Sequence, residues 1–397
     1  MDVDFEPLVP ENARLRGHVS QRSNLRYIKT VVEHFDERQR EEFRNSCLGF
    51  LSEVPDLQFS AQLIQQLVFC CIQTKKRHEL WFNLQGHLAR FEIQEYAIVT
   101  GLRCGLLSDD NVMDRVLAKR RLKDKYFKHV DKISCAQLEQ TFLRSSTPRA
   151  DRYKLGLALI IEGVFNAPDN NVGIDMETLS IVDDLDLFFS YPWGRISYGR
   201  LIKGFRGRWA RKFLDASKKK EKAVSYTVHG FPIAIQIWAF EAVPEIGDRF
   251  GERLGERSPR LLGWTSTKQP QQRTYDAFFK NVQLHVYATL RPTETERGQP
   301  HIATLVLLND DPVPALDDLA RDSVAPQFQA ERMGTPEGDT SAEAHDGGGT
   351  SGEEELGADD SGEEEGGDSE EDDSEDSDGD RVGRSGQTGT SPPSPPA

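Results

Sequence analysis

Apolar residues recur along most of the chain at the spacing of an α-helix. After Ser60, a residue suited to capping a helix, they fall on one face of a 3.6-residue period at Leu63, Ile64, Leu67, Val68 and Cys71. The sequence SCAQ (134–137) fits a capping box and precedes two apolar residues four positions apart, Leu138 and Phe142. Residues 152–165 are apolar nearly all round, which predicts a central buried helix that ends before Pro168.

The stretch GFPIAIQIWAFEAVP (230–244) is compatible with two secondary structures. Its isoleucines alternate as in a strand, at Ile233, Ile235 and Ile237, yet Ala234 and Trp238 between them are also apolar. Proline suits the first turn of a helix and also stops one, and here Pro232 and Pro244 flank the apolar run. We therefore predict a buried helix.

Candidate strands are few and short. They are residues 79–84 (ELWFNL), 225–228 (SYTV) and 282–290 (VQLHVYATL). We find neither a βαβ series nor an internal repeat. The pattern predicts a mainly α fold with a few short strands, arranged as a single helical globular body followed by a disordered acidic C-terminal tail.

The periodic pattern dissolves after about residue 310. Residues 331–397 hold 22 Asp and Glu against three Arg, a net charge of −19, so the rest of the chain carries +3 and the whole chain −16. With few aliphatic side chains, this segment has too little apolar area to offset a backbone ordering cost of about 1–2 kcal/mol per residue. We predict a flexible N-terminus over 1–20, a globular domain over 21–300, and a disordered acidic and Pro/Ser-rich tail over 301–397.

Two roles of the acidic tail are compatible with its sequence. Serines followed by acids, as in SGEEE (351–355 and 361–365), are plausible phosphorylation targets, and such a tail suits a basic partner such as a histone or shields the basic patches of the body. The alternative is a passive, solubilising tail. The sequence alone leaves both open.

Composition also predicts the cellular compartment of the protein. MDVDFEPLVP lacks the basic and apolar regions of a secretory signal, and the longest apolar run, 157–165, falls short of the roughly 20 residues that span a bilayer. The five cysteines, an odd number without regular spacing, argue against a secreted disulfide framework. We expect an intracellular protein, neither secreted nor membrane-bound.

Motifs that carry catalysis or bind metals are incomplete. His78–Glu79 begins like H-E-x-x-H, but Phe82 replaces the second histidine, and the adjacent Cys70 and Cys71 do not form C-x-x-C. GRLIKGF (199–205) lacks the lysine and hydroxyl of a phosphate loop. DDLD (183–186) clusters carboxylates but fits the solvated face of an amphipathic helix. We predict no catalytic, cofactor-binding or metal-binding residue, no cofactor and no enzymatic activity.

Two basic stretches, 118–125 (AKRRLKDK) and 218–222 (KKKEK), have the composition of nuclear-import or phosphate-binding patches. Eleven Lys and Arg face two acids between Arg195 and Lys222, interleaved with aromatics, a combination that suits nucleic acid because phosphates take the charge and bases stack. The alternative is an exposed helix whose aromatic residues, Trp193, Tyr198, Phe205 and Trp209, face the core. The candidate nucleic-acid-binding residues are Arg195, Arg200, Lys203, Arg206, Arg208, Arg211, Lys212, Lys218, Lys219 and Lys220.

Three blocks in order carry a resemblance to a known family. They are HELWFNLQGHLARFEIQEYAIVTGLRCG (78–105), YPWGRISYG (191–199) and HGFPIAIQIWAFEAVPEIG (229–247), with SPRLLGW (258–264) after them. Together they resemble the plant family called domain of unknown function 1985, over roughly residues 50–265. LARFEIQEYAIVTGL is also similar, more weakly, to the plant mobile domain. Both families are linked to plant transposable elements.

The resemblance implies a scaffold role for the first block. LWFNL and ARF become short strands beside the helix IQEYAIVTGL, with Gly101 and Gly105 ending the helix and turn. Many relatives add a ubiquitin-like-protein-specific cysteine protease, whose nucleophile is absent here because no cysteine follows Cys135.

Three hypotheses about function follow. The first is a transposon-derived binding module, possessing no catalysis and acting in the nucleus on nucleic acid or a basic, chromatin-associated protein. The second is an inactive accessory or remnant of the transposon-encoded protease. The third is an enzyme whose site the motif search does not reveal, and the incomplete motifs weigh against it. The sequence does not name the partner or the oligomeric state.

Overall fold

The computed structural model describes residues 5–169, 171–206 and 208–323 of the 397-residue chain. The prediction of disorder beyond residue 323 therefore lies outside the described residues, as do residues 1–4. The helices within these ranges are α1 (Arg26–His34), α2 (Glu37–Arg44), α3 (Ala61–Cys70), α4 (Ile93–Thr100), α5 (Asp110–Leu117), α6 (Arg121–Tyr126), α7 (Cys135–Leu143), α8 (Arg149–Ile160), α9 (Met176–Ile181), α10 (Leu185–Ser190), α11 (Trp193–Arg206), α12 (Arg208–Lys218), α13 (Ile233–Ala242), α14 (Pro244–Phe250), α15 (Gln272–Asn281), α16 (Glu294–Arg297), α17 (Pro300–Ala303) and α18 (Pro314–Asp322).

Six short strands form three separate two-stranded sheets within the described ranges. The strands are β1 (Arg16–Gln21), β2 (Leu80–Leu84), β3 (His87–Phe91), β4 (Ala223–Val228), β5 (Glu252–Arg253) and β6 (Trp264–Thr265). β1 pairs with β4 in parallel, while β2 with β3 and β5 with β6 are antiparallel. This confirms the mainly helical class with few strands. None of the helices in these ranges is long and apolar enough to cross a membrane.

The ambiguous stretch 230–244 forms the central helix α13. All of its residues are buried, as expected of a helix that is apolar all round. The ring of Trp238 lies 4.9 Å from that of Phe82 and 5.6 Å from that of Phe91, so α13 packs on the β2–β3 hairpin. Its one amide, Gln236, is satisfied at both ends, since it accepts from the Ser60 N–H at 2.9 Å and donates to the Gln58 carbonyl at 3.0 Å.

The first block of the resemblance folds as strand, strand and helix. A two-residue turn joins β2 to β3, with positive φ at Gln85 (56°) and Gly86 (88°), the conformation that a tight hairpin requires. Gly101 ends α4 in the left-handed region, at φ 71°. A Cβ at this position would lie 2.1 Å from the Pro259 side chain, so only glycine fits.

The caps predicted from sequence are present. The Ser60 hydroxyl accepts from the Leu63 N–H at the start of α3, and Ser134 forms a capping box with Gln137 at the start of α7. The apolar run 152–165 forms α8 and a following π-helical turn, Ile161–Asn166. Both elements are buried around the same core, which confirms the predicted central helix.

The predicted flexible N-terminus is wrong for residues 5–20. Val9 and Ala13 are buried in the core, and the Leu8 N–H donates to the Cys71 carbonyl at 2.8 Å. Residues 16–20 belong to β1, whose partner β4 lies some 200 residues further along the chain. No local periodicity signals such a long-range pairing, which is why the sequence pattern missed it.

The predicted start of the tail at residue 301 is also too early. α18 packs Leu316 and Ala320 against Ile72 and Trp81, and Leu316 is fully buried. Asp310 accepts hydrogen bonds from the Arg77 and His78 N–H groups, both at 2.8 Å. Apolar residues spaced three or four positions apart on α18, together with well-placed carboxylates, are enough to dock this short segment on the body.

The predicted strand at 282–290 is wrong. Within the described residues this segment forms no strand, only a single bridge position at Thr289, and its backbone bonds instead to several different elements. The Tyr287 N–H donates to the Ala242 carbonyl at 2.9 Å, and the Ala288 carbonyl accepts from the Arg90 N–H at 2.8 Å. The Leu284 N–H donates to the Gln85 side chain at 3.0 Å. The alternating apolar residues here fit the surface that the segment crosses and do not form part of a sheet.

Candidate functional site

The aromatic residues of α11 and α12 face the interior. Trp193, Tyr198, Phe205 and Trp209 are each at most 5% exposed. In α12, Phe213 packs its ring against Phe69 and Tyr226, at centroid distances of 5.2 and 5.9 Å. The interleaving of aromatic and basic residues in the sequence is therefore the signature of an amphipathic helix pair. These rings are not available to stack on bases.

Three of the candidate basic residues, Arg195, Arg200 and Arg206, bond to other parts of the protein. Arg195 donates to the backbone carbonyls of Gly105 (2.6 Å) and Cys104 (2.9 Å). Arg206 donates to those of Glu79 (2.7 Å) and Thr74 (3.2 Å).

Arg200 is engaged as well, since its guanidinium lies 3.2 Å from a carboxylate oxygen of Asp175. The prediction that Arg195, Arg200 and Arg206 form part of a nucleic-acid surface therefore needs correction. Their donors satisfy carbonyls and a carboxylate of the protein itself, which leaves little capacity for phosphate.

Among the candidate nucleic-acid-binding residues, the exposed cations lie mainly on α12 and in the turn after it. We call the residues Arg211, Lys212, Lys218, Lys219, Lys220 and Lys222 the α12 basic surface, and all of them are exposed. Lys218 lies 3.6 Å from Asp215, but none of the other five forms an ion pair within the described residues. Lys203 is exposed too but lies on α11. Arg208 begins α12, and its side chain lies outside the described part of the structure.

Lys220 adopts a conformation that lysine disfavours. Its φ is 57°, in the left-handed region, where a side chain costs energy and glycine is usual. The Lys220 N–H donates to the Ser217 carbonyl and the Glu221 N–H to the Ala216 carbonyl, both at 3.0 Å, which is the hydrogen-bond pattern of a Schellman motif. A strained lysine thus stands at the tip of the α12 basic surface.

The other basic stretch, 118–125, is partly neutralised by the protein. Arg121 donates to Asp183 (2.6 Å) and Asp151 (2.8 Å), and Lys125 donates to Asp151 (2.6 Å). Burial acts to raise the pKa of Asp151, but the hydrogen bonds from Arg121 and Lys125 hold it well below its usual range. This cluster fixes α6 against α8 and leaves Lys119 and Arg120 exposed.

The same cluster corrects the prediction for the first aspartate of DDLD, whereas Asp184 and Asp186 are exposed as expected. Asp183 does not lie on a solvated helix face, because Lys154 also donates to it, at 2.9 Å, and its side chain is only 13% exposed. Asp184 caps α10 by accepting from the Leu187 N–H at 3.2 Å. The partners of Asp183 lie 29 and 62 positions away, beyond the reach of pattern reasoning.

The histidine and glutamate of the first block serve the scaffold. His78 contacts Asp310 at 3.0 Å, and Glu79 accepts from the Trp81 indole at 2.7 Å. GRLIKGF lies within α11 and so cannot form a phosphate-binding loop. Burial raises the pKa of the Cys70 and Cys71 thiols to about 11 and 12. In the described ranges, no three His, Cys, Asp or Glu side chains are grouped to hold a metal ion.

These features define a mainly helical protein with a basic surface and a scaffold built around the hairpin and α4. Residues 69–204 match the family described as Domain of unknown function (DUF1985), which confirms the suspected family. The matched range contains the first two blocks of the resemblance, and residues 229–264 lie beyond it. The chain has no detectable match among curated proteins or solved structures.

Proposed function

We propose that this chain is a non-enzymatic binding module and that the α12 basic surface contacts the phosphates of nucleic acid. The observation that carries this proposal is a group of exposed cations that have no carboxylate partner within the described residues, namely Arg211, Lys212, Lys219, Lys220 and Lys222. Each cation that meets a phosphate releases a counterion, so binding weakens steeply as salt rises.

The burial of the aromatic side chains limits the proposed contacts to the phosphates of the nucleic acid. With Trp209 and Phe205 in the core, the surface offers charge without stacking platforms. Phosphate contacts carry no base information, so we expect binding that is largely independent of sequence and similar for duplex DNA and duplex RNA of equal length.

The strain at Lys220 supports a functional surface. Residues in disfavoured backbone conformations cost of order 1–3 kcal/mol and cluster at functional positions. A glycine would serve the end of α12 better, so a lysine at φ 57° is consistent with a requirement for its charge.

The origin and location of the protein belong to the same proposal. The plant and transposable-element links of the resemblance favour a transposon-derived module, and exposed basic stretches suit nuclear import. A second candidate is an inactive remnant of the transposon-encoded ubiquitin-like-specific protease, which many relatives of this type carry. A basic nuclear protein that binds the acidic tail remains a further proposed partner.

Fluorescence anisotropy of the full chain with a labelled 20-base-pair duplex tests the proposal. We expect the triple substitution Lys218→Gln, Lys219→Gln and Lys220→Gln to weaken binding at about 50 mM salt at least tenfold, because the electrostatic contribution is large there. The matched control replaces three exposed lysines elsewhere, Lys75, Lys128 and Lys132, with Gln. Equal losses in both variants, or no binding by the wild type, would contradict the proposal.

A further inference from the structure

A cleft of about 260 Å³ opens on a part of the body that the basic surface does not include. It lies where the end of α4, the start of α11 and the chain around α17 converge. Its walls come from five separate segments, 46–50, 101–103, 189–193, 258–259 and 299–301. We call it the Arg103 cleft.

The walls of the Arg103 cleft are largely aromatic. Phe50, Tyr191 and Trp193 line it, and the rings of Tyr191 and Trp193 lie 4.5 Å apart at an angle of 52°. The Trp193 indole N–H is already bonded to the Phe188 carbonyl at 2.8 Å, so its ring offers the cleft an apolar face. Such walls suit a flat apolar group.

Three residues that line the cleft each have a buried polar side-chain atom without a hydrogen-bond partner among the described residues. These atoms are Arg103 Nε, Ser258 Oγ and His301 Nε2. Buried polar groups are normally hydrogen-bonded, and leaving one unsatisfied costs about 1–3 kcal/mol. His301 is 6% exposed, so bulk water does not satisfy it. Three such atoms around one opening indicate a site that a ligand completes.

The charge of the cleft is that of a single cation. Arg103 forms no ion pair with a carboxylate in the described ranges, and its nearby polar partner is the Cys47 thiol. Burial raises the pKa of Cys47, so this thiol stays protonated and neutral. Burial also lowers the pKa of His301 to about 4, so its imidazole is neutral and offers one donor and one acceptor.

Thiol chemistry does not fit this arrangement, although a cysteine and a histidine line the same cleft. The Cys47 thiol donates to the Phe189 carbonyl at 3.2 Å, so the hydrogen of the thiol is directed to the backbone and not to a basic side chain. A nucleophilic cysteine requires a lowered pKa, and that of Cys47 is raised. The cleft therefore has the character of a binding site.

We propose that the Arg103 cleft binds a small aromatic monocarboxylate. The carboxylate meets the Arg103 guanidinium, whose fork of N–H donors matches its geometry, and Ser258 and His301 complete its hydrogen bonds. The ring lies against Tyr191 and Trp193. One cation balances a monoanion but not a phosphate dianion, and a volume just under the usual range of about 300–1,000 Å³ for ligand pockets suits a single ring.

Saturation-transfer NMR and calorimetry of the full chain with benzoate and 3-phenylpropionate test this proposal. We expect both acids to bind, and benzamide and phenyl phosphate to bind at least tenfold more weakly because they lack the single negative charge. Arg103→Gln should weaken binding of 3-phenylpropionate at least tenfold, and Ser258→Ala several-fold. The matched control is Arg44→Gln, which removes an exposed arginine outside the cleft lining.

The thermal unfolding midpoint of each variant shows whether it folds. If Arg103→Gln fails to fold, Ser258→Ala and His301→Gln carry the test, since both changes remove one partner without adding bulk. Absence of binding by the wild-type protein would overturn the proposal. So would equal affinity for benzamide and benzoate, or unchanged affinity in the cleft variants. These results are independent of nucleic-acid binding, because the α12 basic surface shares no residue with the cleft.

Discussion

The ammonium group of Lys76 lies 2.6 Å from a carboxylate oxygen of Asp317 and joins two distant parts of the chain. Lys76 is 5% exposed, so its charge is buried beside the hairpin, whereas the Asp317 side chain is 39% exposed. Burial acts to lower the pKa of Lys76, but the hydrogen bond to Asp317 keeps the ammonium charged. This pair holds α18 on the body.

We therefore expect Asp317→Asn to destabilise the protein. Loss of this partner leaves the Lys76 charge buried, with Glu79 at 3.8 Å as its remaining ion-pair partner among the described residues. Because Asp317 is partly exposed and screened by solvent, we expect a loss of about 1–2 kcal/mol in the free energy of unfolding, measured by urea denaturation. Asp318→Asn is the matched control, and its exposed pair with Arg321 should contribute under about 0.5 kcal/mol. Equal midpoints for the two variants would contradict the expectation.

His301 should make stability depend on pH. Its pKa is lowered from 6.5 to about 4 in the folded protein, chiefly by burial, so the unfolded chain binds more protons between these values. The stability is fully present above pH 6.5 and is lost as pH falls towards 4, by up to about 3 kcal/mol.

His301→Gln should flatten the pH profile between 6.5 and 4. The measurement is the urea midpoint at several pH values in this window. His129→Gln, at an exposed histidine, is the matched control and should leave the profile as in the wild type. A His301→Gln profile as steep as that of the wild type would show that His301 is not the titrating group.

Lys220→Gly should stabilise the fold and weaken nucleic-acid binding. Glycine relieves the left-handed strain at φ 57° and should raise the free energy of unfolding by about 0.5–1 kcal/mol. The same change removes one cation, so the slope of log affinity against log salt should fall by about one.

Lys219→Gly is the control for Lys220→Gly, because it removes the same charge at a residue without positive φ. It should weaken nucleic-acid binding equally without stabilising the fold. Stabilisation by both variants would mean that the effect arises from charge and not from backbone conformation.

Deleting residues 331–397 should raise the affinity for nucleic acid at low salt. The deleted segment carries a net charge of −19, and a tethered chain of opposite charge competes for basic residues at high effective concentration. Anisotropy with the same duplex at about 50 mM salt measures the change, which should vanish at high salt. The docked α18 ends at Asp322, so the deletion leaves the described body complete. An unchanged affinity would favour a passive tail.

The sequence by itself determined the features that depend on neighbours within a few positions. The Ser60 and Ser134 caps and the buried helix α13 follow from spacing and capping chemistry, since these act over two to four residues, whereas the hairpin before α4 was expected from the family resemblance. Local composition also placed the cations of α12 on a surface, because an amphipathic helix must expose its polar face.

Only the tertiary structure decided which charged groups are free. Arg195, Arg206 and Arg121 lie in basic stretches of the sequence, as Lys219 and Lys222 do, yet they bond to groups 30 to 132 positions away. The docking of α18 and the convergence of Arg103, Ser258 and His301 on one cleft depend on contacts of the same long range. Hydrophobic periodicity predicts whether a residue lies on the buried or the exposed face of an element. Its tertiary partner is determined by how the whole chain packs.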